Sequence, residues 1–347
     1  MESITSFISR LPKECPHLRE LNVNHDPGRS SVFVALSEPL KTLNHIASIA
    51  HYTPLDMTTW AHLVSLKTLK CISFSNCLNA HAPVIRSTPQ TGFDFLVESP
   101  NAFPAVQEMV LYANSCDPYL SLIRACGSPF LSEIDILIRL PFSPFSSRQF
   151  ISILSEKLSL TSIKSDCSGK RSRRDLPLRR PPDLSISLRP LSMLHNLVSF
   201  IWGTSYSFDD LGDSTMTDLV ASWPSLRCLR LDPLVLDSPV LSHQTEPPSV
   251  ALRGLLPLAS HPLLSEISIP LIAQASDILP SSFFPANGHS RVTSLRLGQW
   301  MVIEEADGDL EAMARYLRFL FPICDQTYPN GLNGQQRKLQ ALVNSEK

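Results

Sequence analysis

Leu-Lys-Cys-Ile-Ser-Phe-Ser-Asn-Cys, running from Leu69 to Cys77, and Val-Gln-Glu-Met-Val-Leu-Tyr-Ala-Asn, from Val106 to Asn114, share one grammar. Apolar residues hold the first, fourth and sixth places, and a small polar residue closes the ninth. The apolar residues in the middle alternate with period two, which is the pattern of a short strand with one buried face. Cys77 and Asn114 then fall where a short polar side chain can turn inward and bond loop backbone that finds no other partner. Both residues are read as structural.

The phrase recurs along the chain. Its first apolar residue is taken as Leu18, Leu43, Leu69, Val106, Leu131, Leu160, Leu197, Leu226, Leu264 and Val292. This L-x-x-L-x-L-x-x-N/C pattern resembles the leucine-rich repeat, in which each unit lends one strand to a curved parallel sheet. Pro16, Pro224 and Pro262 stand two residues before their anchors, where proline ends a preceding helix and sets an extended approach. The units at Leu43 and Leu160 are the poorest matches, because Ser48 and Ser165 take the third apolar place.

Helical spacing appears between anchors. Ser146 to Leu158 places Phe150, Ile151, Leu154 and Leu158 on one face, and Ser214 to Trp223 turns Met216, Leu219, Val220 and Trp223 inward with Ser214 or Thr215 as N-cap. After Asp307-Gly308-Asp309, residues Leu310, Met313, Ala314, Leu317, Leu320 and Phe321 form a broad apolar stripe that Pro322 stops. A last helix over Gln335 to Val343 would cap the end of the stack.

The chain has 347 residues, 43% hydrophobic and 18% charged, which is enough apolar surface for an ordered core. A net charge of -2 gives no global attraction to nucleic acid or anionic lipid. The 29 prolines against 12 glycines imply many extended connectors. Eight cysteines without a C-x-x-C pair exclude an ordinary zinc motif. No secretory leader and no run of roughly 20 apolar residues is present, so no membrane span is expected and the setting is read as cytoplasmic or nuclear.

Catalytic motifs are missing. No G-x-S-x-G elbow, phosphate-cradling glycine loop or dinucleotide fingerprint occurs, and none of the ten histidines has zinc-protease spacing. The expectation is a protein that is not an enzyme, with no cofactor, no metal and no catalytic residue. His17 and His261 read as repeat-loop residues. The acidic run Glu304 to Asp309 lacks the ligand ladder of a calcium loop and reads as the start of a helix. Cys71 and Cys228 fall on the outward face of their strands, without the positive surroundings that activate a thiol.

Lys170, Arg171, Arg173, Arg174, Arg179 and Arg180 crowd a proline-rich stretch between residues 166 and 190. A solvated basic insertion, a nuclear-import signal and a nucleic-acid contact are the three readings. The last lacks the stacking aromatics it would need, and nucleic acid is not expected as a partner.

The residues between the apolar strand positions define a surface. In order they are Glu20, Asn22 and Asn24; Cys71, Ser73 and Ser75; Glu108, Val110 and Tyr112; Glu133, Asp135 and Leu137; then Ser199, Ile201, Gly203, Arg230, Asp232, Glu266, Ser268 and Arg296. Glu108, Glu133 and Asp135 are expected to stack beside Tyr112 and Leu137. An aromatic and an aliphatic side chain among acids make a plausible protein-binding patch, against the plainer reading of an ordinary polar sheet.

Trp223-Pro-Ser-Leu-Arg-Cys-Leu-Arg-Leu231, the helix ahead of it, Ser294 to Leu297 and Ala314 to Pro322 are similar to the leucine-rich repeat half of fungal F-box proteins. The resemblance covers Pro16 to Pro322. It implies a receptor that holds proteins for ubiquitylation while an N-terminal F-box docks on a Skp adaptor. Leu11-Pro12-Lys13-Glu14 is only faintly similar to an F-box opening, and Cys15-Pro16 breaks any helix there, so no F-box fits before Leu18. A Skp-type adaptor is expected only if an F-box lies upstream.

The sequence thus predicts an α/β leucine-rich repeat solenoid, a horseshoe with a parallel concave sheet and convex helices. Residues 1-325 would hold about nine or ten irregular repeats, interrupted by the basic loop 166-190. Residues 326-347 would form a tail or capping helix. The expected function is a non-catalytic interaction scaffold that binds a protein partner on the concave face. The alternative is a nuclear scaffold or regulator using the basic loop.

Overall fold

One main-chain joint recurs through the chain. The carbonyl of Arg19 accepts the N–H of Ala47 at 2.7 Å and of Ser48 at 3.0 Å, and the carbonyl of Ala47 accepts those of Lys70 at 2.7 Å and Cys71 at 3.0 Å. Lys70 does the same for Gln107 and Glu108, and Gln107 for Ser132 and Glu133. Further along, Thr161 serves Val198 and Ser199, Val198 serves Arg227 and Cys228, Arg227 serves Ser265 and Glu266, and Ser265 serves Thr293 and Ser294. In every case the carbonyl belongs to the residue after the anchor. The joint therefore marks where each repeat begins.

The computed structural model describes residues 4–23, 34–51, 55–76, 101–113, 117–138, 144–166, 187–204, 211–233, 250–278, 290–297, 302–303, 307–326 and 334–344. They fall in two compact units, Met1–Phe142 and Ser143–Lys347.

In the first unit, β1 (Glu20–Val23), β2 (Ser48–His51), β3 (Cys71–Asn76), β4 (Glu108–Ala113) and β5 (Glu133–Ile138) pair in chain order, each parallel to the next. Consecutive parallel pairing needs a crossover each time. α1 (Ile4–Glu14) precedes β1, and α2 (Val34–Leu40), α3 (Met57–Ser65) and α4 (Asp117–Ala125) lie in the crossovers from β1 to β2, β2 to β3 and β4 to β5. In the second unit, β6 (Ser162–Asp166), β7 (Ser199–Thr204), β8 (Cys228–Pro233) and β9 (Glu266–Ile269) run parallel in the same way. After β10 (Ile272–Ala273), β11 (Ser294–Leu297) pairs with β9, β12 (Val302–Ile303) pairs with β10, and β13 (Asp325–Gln326) closes on β11. The helices of this unit are α5 (Pro144–Ser155), α6 (Asp213–Ser222), α7 (Leu255–Ala259), α8 (Asp307–Leu320) and α9 (Gly334–Asn344). Parallel strands in chain order, eight of them entered by the same joint after an apolar anchor, make this a leucine-rich-repeat-like α/β architecture.

The register corrects one anchor. Ile49 pairs with Ile72, which places the first apolar position of that unit at Ile46, not Leu43, and the Arg19 joint to Ala47 agrees. Both Leu43 and Ile46 are buried, so composition alone did not separate them. The Leu160 unit is a full repeat despite its serine: Ser165 is buried opposite Trp202, whose bulk fills the layer. A further strand, β13, stands past the last anchor, Val292, at the expected boundary between repeats and tail.

Helix boundaries differ from the sequence reading where capping chemistry decides. α5 stops at Ser155, so Leu158 lies beyond it, exposed, while Phe150, Ile151 and Leu154 are buried. α6 starts from an extended Gly212 with no side-chain cap, so neither Ser214 nor Thr215 caps it. The carboxylate of Asp213 is instead drawn across to accept from the N–H of Ala251 at 2.9 Å and from Nε of Arg253 at 2.5 Å. A Cβ on Gly254 would stand 2.4 Å from Asp213 Oδ1, so this contact requires glycine there. α3 has the cap that α6 lacks: Asp56 accepts from the N–H of Thr59 at 2.8 Å and from the Thr58 hydroxyl at 2.6 Å. The helix over Ile4–Glu14, with Pro12 inside it, was not legible, although it ends just before Cys15-Pro16 as proline dictates. α8 and α9 match their predicted spans to within a few residues, and α9 packs on α8 through buried Leu339 and Val343.

Aromatic residues fill both cores. In the first unit Trp60 meets Phe74 edge-on at 4.5 Å and Phe103 at 6.5 Å. Phe103 is fully buried at φ 56, a left-handed conformation that costs a non-glycine residue free energy. In the second unit Phe150 stacks on Trp202 at 5.5 Å, Phe200 on Trp202 at 5.9 Å, and Phe200 tilts against Trp223 at 5.6 Å. The indole of Trp223 donates to the carbonyl of Leu191 at 3.0 Å, which satisfies its one polar atom.

Candidate functional surface

Strand alternation sends the residues between the buried ones to the opposite face, and the register sets their neighbours. In the first unit Glu108 lies directly opposite Glu133, Val110 opposite Asp135, and Tyr112 opposite Leu137. All five predicted patch residues therefore share one face of β4 and β5. The arrangement differs in detail from the expectation. Asp135 is not in line with the two glutamates but two residues further along, beside Val110.

Glu133 is exposed, and Glu108, Val110, Tyr112, Asp135 and Leu137 are half-buried. Two carboxylates directly opposite on neighbouring strands repel, and such pairs are destabilising. Among the described residues no cation pairs with Glu108 or Glu133. Tyr112 is fixed through its backbone, since the hydroxyl of Tyr119 on α4 donates to its carbonyl at 3.1 Å.

The same row extends to Cys71, which lies opposite Glu108. Burial, then the charge and hydrogen bond of Glu108, then the charge of Glu20 push its thiol pKa up against the weaker pull of Lys70. In the second unit Cys228 occupies the equivalent place, its Sγ donating to Glu266 at 3.6 Å. Burial first and Glu266 second raise its pKa to about 11. Both thiols are thus protonated at neutral pH, the inert state.

The next row of the second unit reads Lys164, Ile201, Arg230, Ser268 and Arg296, a cation on every other strand. Arg230 is tied to Glu266 at 3.6 Å. Lys164 escaped sequence reasoning because its unit has a serine at an apolar position, and the signal that could have found it is Leu160 followed by Ile163. Asp232 shares its strand, but its side chain lies outside the described residues, as do Asn24, Cys77, Asn114, Glu304 and the basic residues Lys170, Arg171, Arg173, Arg174, Arg179 and Arg180.

Among the described residues no group of three or more histidine, cysteine or acidic side chains could hold a metal ion. None of their helices is long and apolar enough to cross a membrane. The chain matches no known protein family and no curated protein. Among solved structures it is similar to the leucine-rich repeat-containing protein LegL7 of Legionella pneumophila, at 13% identity and a TM-score of 0.36, over 98% of this chain and 95% of that one.

Proposed function

We propose that the chain is a non-catalytic recognition scaffold and that the face of β4 and β5 receives a protein partner. The observation that carries this reading is the Glu108–Glu133 pair. It opposes two like charges, one half-buried and one exposed, on the face that also carries Tyr112 and Leu137. Such a pair weakens the sheet it sits on, and a partner bringing lysine or arginine removes that cost while the ring and the leucine supply apolar contact. The partner is accordingly a protein with a basic segment next to an apolar side chain. The resemblance to the repeat half of F-box receptors suggests its biological role, a protein selected for ubiquitylation. A Skp adaptor belongs to that reading only with an F-box from elsewhere in the polypeptide.

The test is capture of binding proteins on the immobilised chain, followed by the double variant Glu133→Lys and Asp135→Lys. The expected outcome is loss of a specific interactor that wild type retains and that elutes with salt. An interactor held equally by the variant removes the β4–β5 face from the proposal.

A further inference from the structure

His17 and His45 stand immediately before the anchors Leu18 and Ile46 of the first two repeats. The pairing of Glu20 with Ser48 sets them at the same height, each three residues ahead of its strand's first paired residue. Neighbouring strands lie about 4.8 Å apart, so like positions in successive repeats are held near that spacing, and the two imidazole rings have their centroids 5.2 Å apart. Both residues are exposed. Among the described residues each ring touches the other, and neither ring takes part in a hydrogen bond or ion pair. The ladder stops at two: the same place in the third repeat holds Thr68, whose hydroxyl is committed to the carbonyls of Ile46 at 2.8 Å and Asn44 at 3.2 Å.

We propose that His17 and His45 form a two-imidazole site for a divalent transition-metal ion such as zinc, clipping the first repeat to the second. A neutral imidazole keeps one nitrogen lone pair for a metal. A zinc–nitrogen bond of about 2.0–2.1 Å, with about 1.2 Å more from that nitrogen to the ring centre, sets each centroid about 3.2 Å from a shared ion. Two centroids 5.2 Å apart then subtend about 110° at the ion, the angle between ligands of tetrahedral zinc. The rings are inclined by 55° and so are not stacked face to face, which leaves their nitrogen-bearing edges free to converge. Water completes the coordination, since no third histidine, cysteine or acid joins the pair among the described residues. Two imidazoles select zinc, copper or nickel over magnesium and calcium, which take oxygen ligands. The site needs no rearrangement of the fold, because the spacing of the repeats itself sets the distance between its ligands.

The test has two arms on the full chain, with zinc chloride as the probe and magnesium chloride as the control. The first is calorimetric titration in a Cys15→Ser background, which removes an exposed thiol that would compete for zinc. His17→Gln and His45→Gln should each weaken the tightest zinc binding by at least about tenfold, the loss of one arm of a chelate. The double variant should lose no more than either single one, because the rings act as a unit. The second arm uses the wild-type chain, so it stands even if a variant fails to fold. Diethyl pyrocarbonate acylates the same ring nitrogen that a metal would occupy, and peptide mass spectrometry reads the modified sites. Zinc should protect His17 and His45 together, magnesium should protect neither, and His195, exposed and bonded to the Ser222 carbonyl at 3.0 Å, should stay reactive with either ion. Zinc affinity unchanged in a folded single variant, losses that merely add in the double variant, or protection of one ring or neither overturns the proposal.

Discussion

The buried imidazole of His261 bridges two repeats: its Nε2 lies 3.0 Å from the carbonyl of Trp223, and its Nδ1 3.3 Å from the N–H of Leu263. A carbonyl can only accept and an N–H can only donate, so the ring must be the neutral tautomer with its proton on Nε2. His261 and Trp223 hold the same place in successive repeats, three residues before the anchors Leu264 and Leu226.

Acid should loosen the second unit through this ring. Burial lowers the pKa of His261 from its usual 6.5, and the bond to Trp223 offsets this only in part. A folded pKa below the unfolded one means the stabilisation is complete above about pH 6.5 and is lost as pH falls through the folded value. Thermal melting between pH 5 and 7.5 should show a falling Tm, and His261→Gln should flatten that slope. An identical slope in the variant would assign the acid sensitivity to other groups.

Asp56 should show a separate, lower acid dependence. Burial raises the pKa of its carboxyl, but hydrogen bonds from Thr58, Thr59 and Ser37 outweigh it and hold the group well below the usual carboxylate range. Its contribution is present above about pH 4 and fades as pH falls through the folded value. Asp56→Ala should cost about 1 kcal/mol at pH 7, read from urea unfolding, and the deficit should shrink toward pH 3.

Reversing one charge of the Glu108–Glu133 pair should separate stability from recognition. Glu133→Lys turns a repulsive cross-strand pair into an attractive one, worth roughly 0.2 to 1 kcal/mol. Calorimetry should give a Tm equal to or slightly above wild type while partner capture falls. A loss of both together would mean that Glu133 supports the fold instead.

Thiol labelling at pH 8 should rank the cysteines by setting. Cys15 is exposed, whereas Cys228 is half-buried with its pKa near 11. A thiol titrating near 11 instead of an ordinary 9 has a thiolate fraction lower by about 100-fold. Cys228 should therefore react with iodoacetamide more slowly than the exposed Cys15, with peptide mass spectrometry as the readout.

Truncating Trp223 should be among the most damaging single changes in the second unit. It is fully buried, packs on Phe200 and bonds Leu191. Trp223→Ala should cost about 3 to 5 kcal/mol, and Trp223→Phe should cost less, since the Leu191 carbonyl that loses the indole keeps the N–H of Leu194. Equilibrium unfolding of the second unit distinguishes the two.

Period and spacing made the strands legible, because a buried residue at every second place leaves little choice of face. Leu69, Val106, Leu226 and Leu264 each announced a strand that the register bears out. The anchor at Ile46 was missed because Leu43 is also buried, three residues earlier, and residues one helical turn apart compete for the same reading. The patch residues were legible as a set because alternation alone fixes their face. Their exact partners were not, since pairing depends on where the joint of each repeat falls, and that is decided by loops of unequal length. The role of His261 escaped because nothing local to it signals burial; its partner carbonyl lies 38 residues away.

The joint that fastens one strand to the next is made by a carbonyl and two amides, and a hydroxyl joins it only where the incoming residue is Ser132, Ser265 or Thr293. An exchange of residues at that place leaves it intact, whether the residue is Arg19, Ala47, Lys70 or Val198. Entire layers can consequently be duplicated or excised between successive joints, as pages are added to or torn from a loose-leaf binding, provided the new neighbours' hydrophobic rows still mesh.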